Sequence, residues 1–390
     1  MNLHEYQSKR ILQSWRVPVP ASGGVAATPA EARAACEALG GRAVLKAQVH
    51  TGGRGKAGGI RAVVSPEEAE RAAGEMLGMV LRTHQAPQGV RVAKLLVEEP
   101  LRIAKELYAA IVPDRSLRSN VFILSAMGGM DIETVAEEHP EAIATEVIDT
   151  AIGLRAYQAR RACYRCGVEP DLTARIAPFV LNLYEAYMHQ DATLVEINPL
   201  AVTEAGALIA ADAKVTIDDN ALFRQPELAA MQDDTDDDPI EAEARRRGIQ
   251  YVRLDGSVGV MGNGAGLVMA TLDEVARAGG KAANFLDLGG GARANVVRSS
   301  LELILMNPAV RSVLVNIYGG ITRCDEVARG ILDATSAMTI RVPVIVRLAG
   351  TQATEGMEIL RGSGLTVAPN MQEAARQAVA AAFDEPTPSG

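Results

Sequence analysis

The sequence predicts an α/β protein of two domains, a mixed α+β first part and a second part built as a doubly wound parallel sheet. Three observations carry this. Beyond residue 250, the apolar runs Ser257–Met261, Ala283–Leu288, Ser312–Ile317, Pro343–Leu348 and Leu365–Ala368 each pass through a turn into a helical segment. Successive strand–helix units of this kind close into a parallel sheet with helices on both faces. Before residue 230, strands and amphipathic helices alternate without such a repeat. Between the two parts lie five aspartates from 233 to 238, then Pro239 and the basic run Arg245, Arg246, Arg247. This reads as a solvated linker and sets the domains at 1–237 and 238–390. A calcium loop would need alternating oxygen ligands around a central glycine and a closing glutamate, which this stretch lacks.

In the first part, Thr28-Pro29-Ala30-Glu31 and Ser65-Pro66-Glu67-Glu68 each combine a capping hydroxyl, a proline at the first helical position and a carboxylate three residues on, so a helix starts at each. Between them stand a strand over Arg42–Val49, a loop over Thr51–Gly59 with Gly52, Gly53, Gly55, Gly58 and Gly59, and a strand over Ile60–Val64. Further strands are expected at Val90–Val97, Glu106–Val112, Asn120–Ser125, Thr193–Val202 and Ala207–Ile217. Ile176, Phe179, Val180, Leu183 and Tyr187, three and four apart, predict a core-facing helix over Asp171–His189. In the second part the first three turns are glycine-rich: Gly262-Asn263-Gly264-Ala265-Gly266, Gly289-Gly290-Gly291-Ala292 and Gly319-Gly320-Ile321-Thr322. They fall at the carboxyl ends of parallel strands, where ligands bind, and offer free backbone N–H groups at helix starts.

Composition narrows the function. Thirty-nine Lys and Arg against 48 Asp and Glu leave a net charge of −9, and aromatic residues make up 4%, so the basic charge and stacking rings that bind nucleic acid are missing. No apolar run approaches the roughly 18 residues of a membrane span, and Met1-Asn2-Leu3-His4-Glu5 does not start a secretory leader, so the expected location is the cytoplasm. Cys163 and Cys166 form a C-x-x-C pair without a second pair, which favours buried or half-buried helix residues over zinc or redox chemistry.

Gly53-Arg54-Gly55-Lys56 resembles a Walker loop only in part, since the earlier glycine is missing and Ala57 brings no hydroxyl. A glycine loop between adjacent antiparallel strands, with Arg54 and Lys56 inside it and Lys46 on the strand before, could instead fold over a triphosphate as a lid; the plain alternative is a solvated lysine. Glu196 and Asn198, two apart, face one side of a strand, and Asp212 on the returning strand can lie opposite. Such hard oxygens suit magnesium; the alternative is carboxylates at a hairpin edge. Glu98 and Glu106 bracket a connection between strands, and on spacing alone read as solvent-facing charges. Leu267 stands where a dinucleotide fingerprint needs its last glycine, which disfavours a nicotinamide site. The histidines, His4, His50, His84, His139 and His189, show no catalytic or metal-ligand spacing. A phosphorylated histidine, if the chemistry uses one, belongs to another chain.

With these motifs in hand, the chain resembles the ADP-forming beta subunit of succinate–CoA ligase (succinyl-CoA synthetase). The matching segments are Asn2-Leu3-His4-Glu5-Tyr6-Gln7, Lys46 with Gln48-Val49-His50, Gly52 to Gly59, Glu196-Ile197-Asn198-Pro199-Leu200, Asp219 to Arg224, Asn263 to Leu267, Asn284-Phe285-Leu286-Asp287 with Gly289-Gly290-Gly291, and Gly319-Gly320-Ile321 with Arg323-Cys324-Asp325. They run in order over nearly the whole chain. The resemblance implies an N-terminal ATP-grasp domain, with a lid-bearing subdomain around residues 20–100, and a C-terminal flavodoxin-like CoA-ligase domain. It implies that Lys46, Gly53, Arg54 and Gly55 hold the phosphates of ATP, with GTP possible, that Glu98, Leu101 and Glu106 lie at the base and ribose, and that Asn198 and Asp212 bind Mg2+. It further implies an alpha-subunit partner that carries the phosphorylated histidine and most of the CoA site, with Glu196 approaching that histidine and Asn263, Gly320, Ile321 and Thr322 contacting the acid.

Phosphoryl transfer asks the protein mainly to position groups and neutralise charge, in keeping with the residue-level reading. Tyr318, Thr322 and Ala349 depart from common family residues and leave a malate–CoA ligase beta subunit as the alternative acid specificity. A nucleotide-binding regulatory subunit without turnover is the alternative of another class; the joint presence of Lys46, Glu196, Asn198 and Asp212 argues against it. The resemblance implies assembly with the alpha subunit, as a heterodimer or doubled to a heterotetramer.

Overall fold

Thr28 accepts the Glu31 N–H and Ser65 accepts the Glu68 N–H, with Pro29 and Pro66 at the first helical positions, and the two capped helices run over Pro29–Ala38 and Pro66–Met76. The computed structural model describes residues 1–233, 238–290, 293–337 and 340–383 and divides into two units, Met1–Asp236 and Asp237–Gly390. Gly291, Ala292 and the aspartates at 234, 236 and 237 lie outside the described residues. In the first unit, the two capped helices turn the small side chains Ala32, Ala69, Ala72 and Ala73 toward Leu45, Val63, Leu95 and Val97 of a four-stranded antiparallel sheet. Its strands stand in the order Ser22–Ala26, Leu95–Glu98, Ala43–Ala47, Ile60–Val63.

A second, six-stranded antiparallel sheet has the long strands Ile103–Asp114 and Ala192–Thr203 at its centre. The helix Pro170–His189 lays Ile176, Phe179, Val180, Leu183 and Tyr187 against this sheet in one core with Ile111, Phe122, Val195 and Ile197, so the three-and-four spacing does mark the buried face. A helix at Glu5–Ser14, not foreseen, docks beside the strand Ala213–Ile217: Leu3 N donates to the Val215 carbonyl at 3.1 Å, and Thr216 Oγ1 donates to Asn2 Oδ1 at 3.1 Å.

Two expected strands are each divided. Val90–Val97 becomes Val90–Arg91, paired with Val80–Leu81, and Leu95–Glu98, paired in the small sheet; the chain changes sheets where Lys94 turns to Asp233 at 2.6 Å. Ala207–Ile217 becomes Leu208–Ala210 and Ala213–Ile217, both on one edge of Ala192–Thr203 and separated at Ala211–Asp212. Cys163 is buried in the helix Ala156–Arg165 and Cys166 half-buried at its end, both as free thiols.

In the second unit the sheet order is Gln250–Arg253, Asn284–Asp287, Val258–Gly262, Ser312–Gly319, Val344–Gly350, Thr366–Val367. The last five are mutually parallel, as the repeated strand–helix pattern predicts; Gln250–Arg253 is an additional antiparallel edge. Both faces are covered. Val313, Val315 and Ile317 pack with Leu301, Val327 and Ile331, whereas Leu314 packs with Val268, Val275 and Ala378. Gly350, at φ +87°, lies so close to the neighbouring strand end that a Cβ there would stand 2.1 Å from the Gly319 carbonyl oxygen. No helix among the described residues is long and apolar enough to cross a membrane.

Candidate active site

A cleft of ≈ 630 Å³ in the first unit takes its lining from both sheets, and it holds every site residue expected of this unit: Lys46, Gly53, Arg54, Gly55, Glu98, Leu101, Glu106, Glu196, Asn198 and Asp212. The small sheet supplies the cationic end. Lys46 lies on Ala43–Ala47, whose antiparallel neighbour Ile60–Val63 receives the chain back from the glycine loop. Lys46 is not a solvated lysine: its Nζ stands 3.0 Å from Glu5 Oε1, 2.9 Å from Glu98 Oε2 and 2.6 Å from the Ala211 carbonyl. Arg54 reaches out of the loop to Asp212 Oδ2 at 2.7 Å and Glu5 Oε2 at 2.8 Å, while its other arm donates to the Ala47 carbonyl at 2.9 Å.

Glu98 is 1% exposed, so the solvent-facing reading of this residue fails. A buried carboxylate needs a cation, and Glu98 has two, Lys46 and Lys9. Glu106, by contrast, is exposed. Burial lowers the Lys46 ammonium and the Arg54 guanidinium, but the surrounding carboxylates outweigh it and raise both above their ordinary values. Burial works against the Glu5 carboxylate too, and Lys9, Lys46 and Arg54 overcome it and hold Glu5 well below the usual range. Lys46, Arg54 and Glu5 are therefore charged at neutral pH.

The large sheet supplies the other end. Glu196 pairs across the ladder with Lys214, and Ile197 with Ala213. Burial raises the Glu196 carboxyl, with Glu133 and Asp212 adding to the rise against Lys214 and a hydrogen bond from Tyr108. Asn198 Oδ1 accepts the Gly129 N–H at 2.8 Å, and its Nδ2 donates to the Met130 carbonyl at 2.9 Å. This ties a second glycine loop, around Gly128 and Gly129, to the cleft. The loop needs both glycines: a Cβ on Gly128 would stand 2.3 Å from the Leu107 carbonyl oxygen, and Gly129 has a φ of +72°.

Asn198 and Asp212 fit magnesium by their donor chemistry. Both offer hard oxygens to the same cleft, and magnesium asks for only one or two protein ligands besides water and phosphate oxygens. Among the described residues no cluster of three or more His, Cys, Asp or Glu forms a closed metal cage.

Sequence reasoning did not single out Glu5, Lys9, Tyr108 or the Gly128–Gly129 loop. Glu5 and Lys9 are four apart on a helix and look like an ordinary surface pair. Only the match of the Asn2–Gln7 segment pointed there. Beside them, His4 stacks on His50 at 4.0 Å and stands 3.5 Å from Asp233; burial, then His50, pushes its pKa down from 6.5 to about 4.

Asn263, Gly320, Ile321 and Thr322 belong to the second unit. Asn263 spends its amide on Tyr318, accepting the Tyr318 N–H and donating to its carbonyl, each at 2.9 Å. Ile321 is 88% exposed and Thr322 only 1%. At two of these turns one backbone N–H is already taken, because Asp287 Oδ1 accepts from Gly264 at 2.6 Å and from Gly289 at 2.7 Å. A strand-end carboxylate meets those donors before any ligand can.

Residues 2–202 match the ATP-grasp domain family and residues 261–381 the CoA-ligase family. The chain is 49% identical over 390 residues to the succinate–CoA ligase [ADP-forming] subunit beta of Nautilia profundicola, covering 99% of this chain and 100% of that one. It is likewise 49% identical over 380 residues to the succinate–CoA ligase [GDP-forming] subunit beta of Thermus thermophilus, covering 97% and 98%. Among solved structures, an ATP citrate lyase from Methanothrix soehngenii in complex with citrate and coenzyme A superposes with a TM-score of 0.77 over 97% of this chain and 99% of that one, at 18% identity, a likeness of fold.

Proposed function

The chain belongs to the succinate–CoA ligase beta-subunit family, and from that premise we propose how its residues divide the work. The enzyme is a ligase of the acid–thiol class: ATP, succinate and CoA give ADP, phosphate and succinyl-CoA. The observation that carries the residue assignment is the convergence of Lys46, Arg54, Glu196, Asn198 and Asp212 in one cleft. Lys46, Arg54 and the amides of Gly53 and Gly55 take the nucleotide phosphates, where buried cations stabilise charge more than they would in water. Leu101 and Glu106 lie toward the base and ribose, with Glu98 behind Lys46. Asn198 and Asp212 would hold Mg2+, which supplies charge neutralisation at the phosphates; Asp212 then exchanges its Arg54 partner.

Glu196 receives the histidine of the alpha subunit. A carboxylate that accepts one imidazole N–H fixes the tautomer and leaves the other nitrogen's lone pair to attack. That nitrogen takes the γ-phosphoryl group and ADP departs. The acid's carboxylate then takes the phosphoryl group from histidine, and the CoA thiol displaces phosphate to form the thioester, so that one hard condensation becomes three transfers. Asn263, Gly320, Ile321 and Thr322 are assigned to the acid.

The test is CoA-dependent ADP formation by this chain mixed with its alpha partner, with succinate and malate compared at equal concentration and ATP with GTP. Turnover is expected only in the mixture, with succinate and ATP preferred. Appreciable turnover by the chain alone would contradict the partner's histidine, and a preference for malate would move the acid while keeping the phosphate roles.

A further inference from the structure

Lys9 carries a cation that none of these roles uses. It sits one turn after Glu5 on the first helix, is 4% exposed and does not line the cleft. Its Nζ stands 2.8 and 2.6 Å from the two oxygens of Glu98, 2.7 Å from Glu5 Oε1 and 2.8 Å from the Ala211 carbonyl. An ammonium enclosed in this way is costly to desolvate and stands outside the lining of the cleft, so its effect there must pass through the groups it meets. Those groups, Glu5, Glu98 and the Ala211 carbonyl, are the same three that hold Lys46. Without Lys9, two carboxylates would close on Lys46 and Arg54 as completed pairs. With Lys9, three cations meet the three carboxylates Glu5, Glu98 and Asp212, and one positive charge would be left uncancelled once Asp212 turned to Mg2+ as assigned above.

We infer that Lys9 is a positioning residue for nucleotide binding, which neutralises Glu5 and Glu98 from behind and so leaves the charge of Lys46 and Arg54 to the phosphates. This rests on the assignment of Lys46 and Arg54 to the phosphate end. It gives Glu98 a role through Lys46 as well. The effect grows with the charge of the ligand: ADP senses it and adenosine, which has no phosphate, does not.

The experiment is calorimetric titration of the full chain in complex with its alpha partner, using ADP and adenosine, each with and without magnesium. Lys9→Met is expected to weaken ADP roughly tenfold and to change adenosine less than about twofold. Lys9→Met combined with Glu98→Gln restores the balance of charge and is expected to recover most of the lost ADP affinity. Unchanged ADP affinity in Lys9→Met, equal losses for ADP and adenosine, or no recovery in the double variant would overturn the inference. Lys46→Met separates the two levels. If it leaves ADP binding intact, the phosphate assignment itself falls; if it weakens ADP while Lys9→Met does not, only the role of Lys9 falls. Should Lys9→Met fail to fold, Glu98→Gln alone decides, since it adds one net positive charge and is expected to tighten ADP roughly threefold; weaker ADP binding there would overturn the inference.

Discussion

The first unit builds its cleft with side-chain charge, and the second fixes its strand ends with backbone shape. In the first, Glu5, Lys9, Lys46, Arg54, Glu98 and Asp212 stand within 3.0 Å of an oppositely charged neighbour, gathered from segments more than 200 residues apart. In the second, the strand ends are fixed by glycine and by internal hydrogen bonds, with Asp287 closing two turns and Asn263 bracing Tyr318. The difference teaches where each unit is vulnerable. A charge-built site loses chemistry when one side chain changes, whereas a backbone-built one loses its fold first.

Three substitutions would break or sharpen that contrast. The largest effect is expected from Glu196→Gln, which keeps the shape and removes the carboxylate: phosphorylation of the alpha partner by ATP should fall about 10²–10³-fold with the thermal midpoint unchanged. A rate within about twofold of the parent would remove Glu196 from the chemistry. Next is Gly350→Ala in the second unit, where φ is +87° and the Gly319 oxygen lies 2.1 Å from the added carbon. It should cost about 2–4 kcal/mol in denaturant unfolding; an unchanged midpoint would show that the turn relaxes without penalty. The smallest is a slope. His4 is held neutral, with its pKa near 4 against 6.5 in the unfolded chain, so the unfolded state binds the extra proton and stability falls as pH drops through that window. His4→Gln should flatten this loss between pH 7 and 4, read as urea midpoints; parallel curves for variant and parent would refute it.

How much of this could be read in the sequence follows from the same contrast. The parallel strands of the second unit are buried on both faces and so print as continuous apolar runs, of which Val258–Gly262 is buried throughout. The edge Gln250–Arg253 carries three exposed residues in four and leaves no such print. In the first unit the capped helices were legible because Thr28 and Ser65 act over three residues. The cleft residues were legible one by one, from the glycine loop and the pair Glu196 and Asn198. Their union was not, since what joins Lys9 to Glu98 and Lys46 to Ala211 is tertiary packing and carries no local spacing. For the same reason Glu98 read as a surface charge.

The docking of the first helix also sets an order on the making of this protein. Glu98 follows Lys9 by 89 residues, and the Ala211 carbonyl that Lys9 and Lys46 share follows Lys9 by 202. Leu3 and Asn2 bond to Val215 and Thr216 of the strand Ala213–Ile217. On the ribosome, then, Lys9 emerges about 200 residues before the Ala211 carbonyl that completes its enclosure, and the cation cluster stays without that acceptor and without Asp212 until the strand Ala213–Ile217 follows, however well the helices and small sheet have already formed.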